Sequence, residues 1–450
     1  MSRSRPYLLL SLLTLAVVAQ AASATATGLL AAIGDVGPTT AVLWARADRE
    51  TDVAVTYGPV GNTQKSATLR VSRSAGLTGK LRLDDLKPAT RYAYRVHATT
   101  EVSGEFVTAP APDTTARVRL IWSGDLGGGS SCRRVDDGYR IFRAIARQEP
   151  DVFLFVGDTI YADHVCGGPG LVPGFDFVAT TLAQFRAKHA YNHEDPALVA
   201  LLARTSVSAI WDDHEVRNDF AGPSEPLMPV GRQAFLEYWP ILPVAEEPTR
   251  LYRSLRWGRL LEVFILDTRQ YRSDNCQPDG PSKTMLGAAQ RRWLVETVTA
   301  SNAVWKVVVS SVPLSVSTGR NCRDSWSNAT LWGLPEENGT GFATERDAIL
   351  RTFRQHGVKN LLFLTTDVHH AELIRHHPTT DFSFHEFIAG PLSATFGRPR
   401  PLDQGLNPRS LFAQGGVNNF GEITIEVPHL TARILDEEGR VLFSHVIGPE

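Results

Sequence analysis

The segment Gly157-Asp158-Thr159-Ile160-Tyr161-Ala162-Asp163 sets a carboxylate three residues ahead of a phenol, directly after the apolar run Val152–Val156. At that spacing Asp158 and Tyr161 can face one cation. Three other segments bring acidic or imidazole groups to the same point behind an apolar run: Ser123-Gly124-Asp125-Leu126-Gly127, Trp211-Asp212-Asp213-His214-Glu215-Val216-Arg217-Asn218 and Asp367-Val368-His369-His370. Oxygen ligands suit hard or trivalent cations and imidazole suits iron, zinc or manganese, so a mixed set suits a two-metal site. One Gly-Asp after a strand is usually a turn. Four acidic post-strand motifs are hard to explain that way, because carboxylates buried without a cation or partner repel one another and are expensive to desolvate.

The elements that must position these groups follow from the apolar pattern. Val118–Trp122, Val152–Val156, Val207–Trp211, Leu261–Leu266, Trp305–Val309 and Leu361–Leu364 read as buried strands. Helical patterns lie between them at Tyr139–Arg147, Leu182–His189, Pro196–Arg204, Ala288–Thr299 and Glu345–Gln355. Near-continuous apolar strands separated by helices imply an α/β fold with a mostly buried sheet and helices on its faces. Ligands in such sheets sit at the carboxyl ends of strands, so Asp125, Asp158, Asp213 and Asp367 are expected to meet at one rim. Glu422–Val427, Leu430–Leu435 and Val441–Ile447 close the chain as an antiparallel meander. Residues 25–112 read differently, as short alternating segments of a small β-sandwich. Leu86-Lys87-Pro88-Ala89-Thr90-Arg91-Tyr92-Ala93-Tyr94-Arg95-Val96 resembles the tyrosine-corner stretch of fibronectin type III domains. Ala109-Pro110-Ala111-Pro112-Asp113 reads as the linker to a second domain over 115–450.

Composition narrows the function classes. With 450 residues, 43% of them hydrophobic and 21% charged, the chain can bury a large core and is not a disordered protein. The 46 Lys and Arg against 48 Asp and Glu give a net charge of −2, which argues against a general nucleic-acid binder. Arg3 and Arg5 precede the apolar stretch Tyr7–Ala19, then Ala19-Gln20-Ala21 and Ala22-Ser23-Ala24, so residues 1–24 are expected to be a secretory signal peptide cleaved near Ala21 or Ala24. No run reaches the ~20 apolar residues of a membrane span. A secreted or periplasmic location follows, and it permits disulfides among Cys132, Cys166, Cys276 and Cys322, which allow three pairings.

Taken in order, Asp125, Gly157-Asp158, Asp213-His214-Glu215 and Asp367-Val368-His369 resemble the calcineurin-like metallophosphoesterases. Gly157-Asp158-Thr159-Ile160-Tyr161 is similar to the iron-tyrosinate motif of purple acid phosphatases. Trp211-Asp212-Asp213-His214-Glu215-Val216, with Leu266-Asp267-Thr268-Arg269-Gln270-Tyr271-Arg272, resembles the alkaline phosphatase D family. The resemblance covers about residues 115–450. It implies a central β-sandwich flanked by helices, preceded by the small fibronectin-like domain, and a dinuclear centre. Asp125, Asp158, Tyr161 and His369 would hold Fe3+. Asp158 would bridge to a divalent Ca2+, Mg2+ or Mn2+ held with Asp213 and Asp367, and His214 would be the catalytic histidine.

This sequence departs from the superfamily in three places. Asp213 stands where Asn is usual, Asp367 stands where His is usual, and no histidine occurs around Ser310-Ser311-Val312-Pro313, so the second metal is expected to be bound weakly or to be completed by water or by Asn218. In relatives a cysteine in a context like Ser131-Cys132, ahead of a pair like Gly138-Tyr139, can ligate the iron. The competing use of Cys132 is a disulfide with Cys166, with Cys276 then joined to Cys322.

The implied activity is hydrolysis of phosphomonoesters or phosphodiesters by a metal-bound hydroxide, on small-molecule or lipid phosphate esters. A phospholipase of the same fold and an inactive extracytoplasmic binding protein are the competing readings. Arg133, Arg134 and Arg217 are candidate phosphate clamps, although arginines are more often simply solvated. The loops Val165–Phe177, Arg272–Met285 and Ser317–Gly341 are expected to carry substrate choice, with Trp326 and Trp332 as a lid, a stacking surface or plain structure.

Overall fold

The computed structural model describes residues 28–62, 64–427 and 429–450, so the expected signal peptide lies outside the described residues. The first seven strands are β1 Leu30–Gly34, β2 Ala41–Arg46, β3 Thr51–Pro59, β4 Lys65–Val71, β5 Thr78–Leu83, β6 Arg91–His97 and β7 Glu101–Val107. In β6 alternate residues are buried, which turns Tyr92, Tyr94 and Val96 inward. The Tyr92 hydroxyl accepts the Lys87 N–H at 2.8 Å, the contact expected of a tyrosine corner. The sheet β4-β3-β6-β7 faces β1, β2 and β5 across a core that includes Leu43, Val55, Tyr94 and Phe106.

Two features join this sandwich to the rest more closely than a free linker would. β1 pairs in parallel, Gly34 opposite Val207, with a strand of the following region, so one sheet runs through both. Ala109 and Pro110, read as linker, are buried; Ala109 N–H donates to the Gly37 carbonyl, which is why a short Pro-Ala stretch packs here.

The larger region adds β8 Val118–Ser123, α1 Ile141–Arg147, β9 Val152–Val156, α2 Leu182–His193, α3 Pro196–Leu202, β10 Ser206–Ile210, α4 Met228–Tyr238, β11 Arg253–Trp257, β12 Leu261–Ile265, α5 Gly287–Ala300, β13 Trp305–Val309 and α6 Ala343–Gln355. It ends with β14 Leu361–Thr365, β15 Ala371–Thr379, β16 Phe382–Ile388, β17 Pro408–Gln414, β18 Asn419–Glu426, β19 His429–Asp436 and β20 Val441–Ile447. A nine-stranded sheet, β20-β19-β18-β8-β9-β10-β1-β2-β5, packs on a seven-stranded sheet, β11-β12-β13-β14-β16-β15-β17. Trp122 of β8 and Phe387 of β16 stack between them with centroids 6.4 Å apart. Phe142 of α1 covers Phe153 and Phe155 on one outer face, and α5 and α6 cover Phe264, Val308 and Phe363 on the other.

The fold is thus α/β, a central β-sandwich flanked by helices. Each buried Phe or Val of β9 contributes roughly 1.5–3 kcal/mol through removal from water. β8, β9 and β10 are mutually parallel, as are β12, β13, β14 and β16, so their carboxyl ends share an edge of each sheet.

Candidate metal centre

Asp125, Asp158 and Asp367 stand two residues beyond β8, β9 and β14, and Asp213 three beyond β10. The backbone bends sharply to put them there. Asp125, Asp158, Asp367 and His369 have φ of 63°, 49°, 72° and 56°, the left-handed region that side chains other than glycine seldom adopt. Each such residue costs on the order of 1–3 kcal/mol, and such residues gather where a site dictates the backbone.

The side chains converge. One ligand atom each from Asp125, Asp158 and His369 lie within 4.8 Å of one another, as do those of Asp158, Asp213 and His214, and of Asp212, Asp213 and Asp367. Tyr161 Oη is 3.0 Å from His369 Nε2. Asp158 therefore stands between two adjoining clusters.

The pocket lacks partners for its own acids. Both oxygens of Asp125, Oδ2 of Asp212, Oδ1 of Asp213 and Oδ2 of Asp367 are buried with no hydrogen bond among the described residues. Burial, reinforced by neighbouring carboxylates, pushes Asp125, Asp158 and Asp367 well above the usual carboxylate range. Burial resists the charge of Asp213 too, but His214 and Arg269 outweigh it and hold this carboxyl below its ordinary value. Buried polar atoms in native proteins are almost always satisfied, and a cation satisfies several carboxylate oxygens at once. The donor set fits hard cations, with one imidazole and one phenol at the Asp125 end.

His214 is fixed from two sides. Its Nδ1 meets Asp163 Oδ1 at 2.7 Å, and its ring stacks on Tyr161 with centroids 4.1 Å apart. His164 stacks on the other partner, 5.3 Å from the Tyr161 centroid. Burial disfavours a charge on His214, yet Asp213 and Asp163 overcome this and push it up to about 9.

A web of buried polar groups holds the loops in register. Glu215 accepts N–H groups from Asp158, Thr159 and Asp212 at 3.2, 2.6 and 2.8 Å, tying the β9 loop to the β10 loop. Arg269 donates to Asp212 Oδ1 at 2.6 Å and bidentately to Asp324 at 2.8 and 2.7 Å. Ser311, in the stretch where the superfamily pattern has a histidine, donates to Asp212 Oδ1 at 2.6 Å. Gly390 lies over Asp125: a Cβ there would be 2.4 Å from Asp125 Oδ2, and Asn419 pins this glycine with hydrogen bonds of 2.9 and 2.6 Å.

Other expected residues lie elsewhere. Cys132 is bonded to Cys166, Cα atoms 5.7 Å apart, so its sulfur is no thiolate and the iron-ligand expectation is corrected. Cys276 is bonded to Cys322. Asn218 is exposed, and its backbone N–H donates to Asp163. Arg133 is buried against the Tyr191 ring at 4.6 Å, Arg134 faces Asp136 and Asp137, and Arg217 is 3.5 Å from Glu225. Trp326 is core, its Nε1 donating to Ser310, and offers no stacking surface; Trp332 is 78% exposed. Asp163, Asp212 and His164 were not singled out from the sequence, although all three lie inside or beside the quoted motifs.

Two packed sheets with an acid-lined pocket at the carboxyl ends of their parallel strands define the metallophosphoesterase-like class. Solved structures share this fold: PhoD, with a TM-score of 0.74 at 21% identity over 94% of this chain and 89% of that one, and purple acid phosphatase PPD1 from yellow lupin (Lupinus luteus) seeds, with 0.67 at 13% over 94% and 74%. The family model "PhoD-like phosphatase" matches residues 127–442, and "PhoD-like phosphatase, N-terminal domain" matches 15–110. The chain belongs to the PhoD-like phosphatase family. Alkaline phosphatase D of Bacillus subtilis (strain 168) is 27% identical over 321 residues, 64% of this chain and 52% of that protein, so the chain spans about half the length of this curated relative.

Proposed function

We propose that this chain is an exported, metal-dependent phosphoric ester hydrolase acting on phosphomonoesters or phosphodiesters. The observation that carries the reading is the set of buried oxygens on Asp125, Asp212, Asp213 and Asp367 that have no partner among the described residues, gathered beside Tyr161 and His369. Asp125, Asp158, Tyr161 and His369 would hold ferric iron. Asp158, Asp213 and Asp367, joined by Asp212, would hold a divalent Ca2+, Mg2+ or Mn2+. Such cations polarise a phosphoryl oxygen and acidify water.

The chain's own groups do the rest. With Nδ1 committed to Asp163, His214 keeps Nε2 for giving a proton to the leaving oxygen, and the Tyr161 ring fixes the plane in which it does so. Glu215 and Arg269 hold the loops so that Asp158 and Asp212 need not reorganise during the reaction. Export rests on residues 1–24; no helix among the described residues is long and apolar enough to cross a membrane.

Metal analysis together with turnover of nitrophenyl phosphate and bis-nitrophenyl phosphate tests this reading. Iron plus a second metal and release of nitrophenol are expected, and metal-replete protein with no turnover of either ester would refute it. A visible charge-transfer band should disappear in Tyr161→Phe, and an unchanged spectrum would remove Tyr161 from the first site. Exposed Trp332 and Phe396, 78% and 56% accessible, favour a phospholipase as the second reading, for which phosphatidylcholine is the discriminating substrate.

A further inference from the structure

We infer that Asp163, His164 and His214 form an outer metal site, one that takes a divalent transition cation such as zinc and silences the hydrolase by holding His214. The silencing rests on the hydrolase reading above; the site itself does not. One ligand atom from each of the three lies within 4.8 Å of the others. Asp125, Asp158, Tyr161, Asp367 and His369 have no part in this group.

Donor chemistry separates the two sites. The centre offers carboxylates with one imidazole and one phenol, whereas the outer group offers two imidazoles and one carboxylate. Imidazole suits zinc, copper and nickel, while calcium and magnesium take oxygen ligands. The rings of His164 and His214 are tilted by 33° with centroids 5.0 Å apart. Two ligand atoms of a tetrahedral zinc, each at about 2.0–2.1 Å, stand roughly 3.3 Å from one another, so the group has to close by about 1.5 Å at most. His164 is its exposed member and can supply that movement by turning its ring, which leaves the remaining coordination to solvent.

The chain presets the group. Ala162 N–H donates to the His214 carbonyl at 2.8 Å, which ties the two loops side by side. Lys188 Nζ donates to the His164 carbonyl at 2.6 Å, and two residues on, Cys166 is bonded to Cys132. Asp163 is held at both oxygens, Oδ1 by His214 Nδ1 at 2.7 Å and Oδ2 by the Asn218 N–H at 2.8 Å. The His164 ring lies against Tyr161, centroids 5.3 Å apart. A cation here displaces the proton that His214 and Asp163 share, and binding releases it. Metal-bound His214 no longer gives the leaving oxygen its proton, so turnover falls through kcat.

Zinc added to wild type holding its iron and second metal, with the second metal in excess, tests the inference. Equilibrium dialysis should find one further equivalent bound, and turnover of nitrophenyl phosphate should fall in kcat with KM unchanged. His164→Phe keeps a ring against Tyr161 and removes the ligand atoms. The extra equivalent should be lost, and the zinc concentration that halves this variant's own rate should rise at least ~tenfold. His164→Asp supplies an oxygen ligand instead and should recover the extra equivalent. The position is exposed, so both variants should fold. No further equivalent in the wild type, or a His164→Phe protein as sensitive to zinc as the wild type, overturns the outer site; zinc would then act by displacing the second metal. An extra equivalent without loss of kcat overturns the silencing. An extra equivalent that depends on His164, in metal-replete wild type that turns over no ester, leaves the outer site standing and brings down the hydrolase reading.

Discussion

Asp125 and Asp324 are aspartates of the same pocket region, 1% and 0% exposed, and their surroundings are opposite. Asp324 accepts from Arg269, Arg272 and Asn275 at 2.7 to 2.9 Å. Among the described residues nothing donates to either side-chain oxygen of Asp125, and burial drives its carboxyl well above the usual range. One residue type at one depth is thus a brace where guanidinium groups face it and a candidate ligand position where none does. Asp212 spans the two surroundings, with Oδ1 on Arg269 and Ser311 and Oδ2 without a partner among the described residues.

The contrast breaks most visibly at Asp158. Asp158→Asn should strip both metals and lower turnover by at least ~10³-fold, on the order of 4 kcal/mol of transition-state stabilisation, read by metal analysis and steady-state kinetics. Arg269→Met acts on the other side of the comparison. It takes the shared guanidinium from two buried carboxylates, leaving Asp212 only Ser311 and Asp324 only Arg272 and Asn275, so a loss of about 3–5 kcal/mol is expected in denaturant unfolding. If stability held and only metal content fell, Arg269 would belong with the ligand groups instead.

pH sharpens the distinction in metal-free protein. Asp125, Asp158 and Asp367 are raised in the folded state, so the folded chain binds more protons than the unfolded one above the ordinary carboxylate pKa. Their contribution is present in acid and lost as pH rises through the raised values, by about 1.4 kcal/mol per pH unit for each extra proton held. The melting temperature of chelated protein should therefore fall as pH rises from 4 in this window, and bound metal should abolish the trend. The smallest change in metal binding is Gly390→Ala: its methyl would sit 2.4 Å from Asp125 Oδ2 on a backbone with φ of 128° that alanine rarely adopts, so a ~10–100-fold weaker first metal by titration is expected together with a lower melting temperature.

How much of this was legible depended on whether burial was apolar. β9 and β13 match their sequence expectation to the residue, because Val152–Val156 and Trp305–Val309 are continuous apolar runs. β15 escaped notice since Glu372 and His376 interrupt it, and both are buried on partners: His370 at 3.2 Å and Glu386 at 2.9 Å. α4 carries no side-chain cap at Leu227, and Pro229 in its first turn was the start signal passed over. The post-strand aspartates were readable, whereas the brace was not: Arg269 and Asp324 are 55 residues apart, and nothing local joins them. Asn419, which pins Gly390 from 29 residues away, was hidden for the same reason.

The parallel pairing of Gly34 with Val207 gives the N-terminal sandwich a second office. β10 leads into Asp213, and β1 occupies the flank of β10 that would otherwise be a bare strand margin open to other chains. A shortened chain starting near Arg117 would uncover that margin beside the acidic pocket. The N-terminal strands are accordingly a selvedge woven into the cloth, and cutting them away would let the sheet fray from the strand nearest the chemistry.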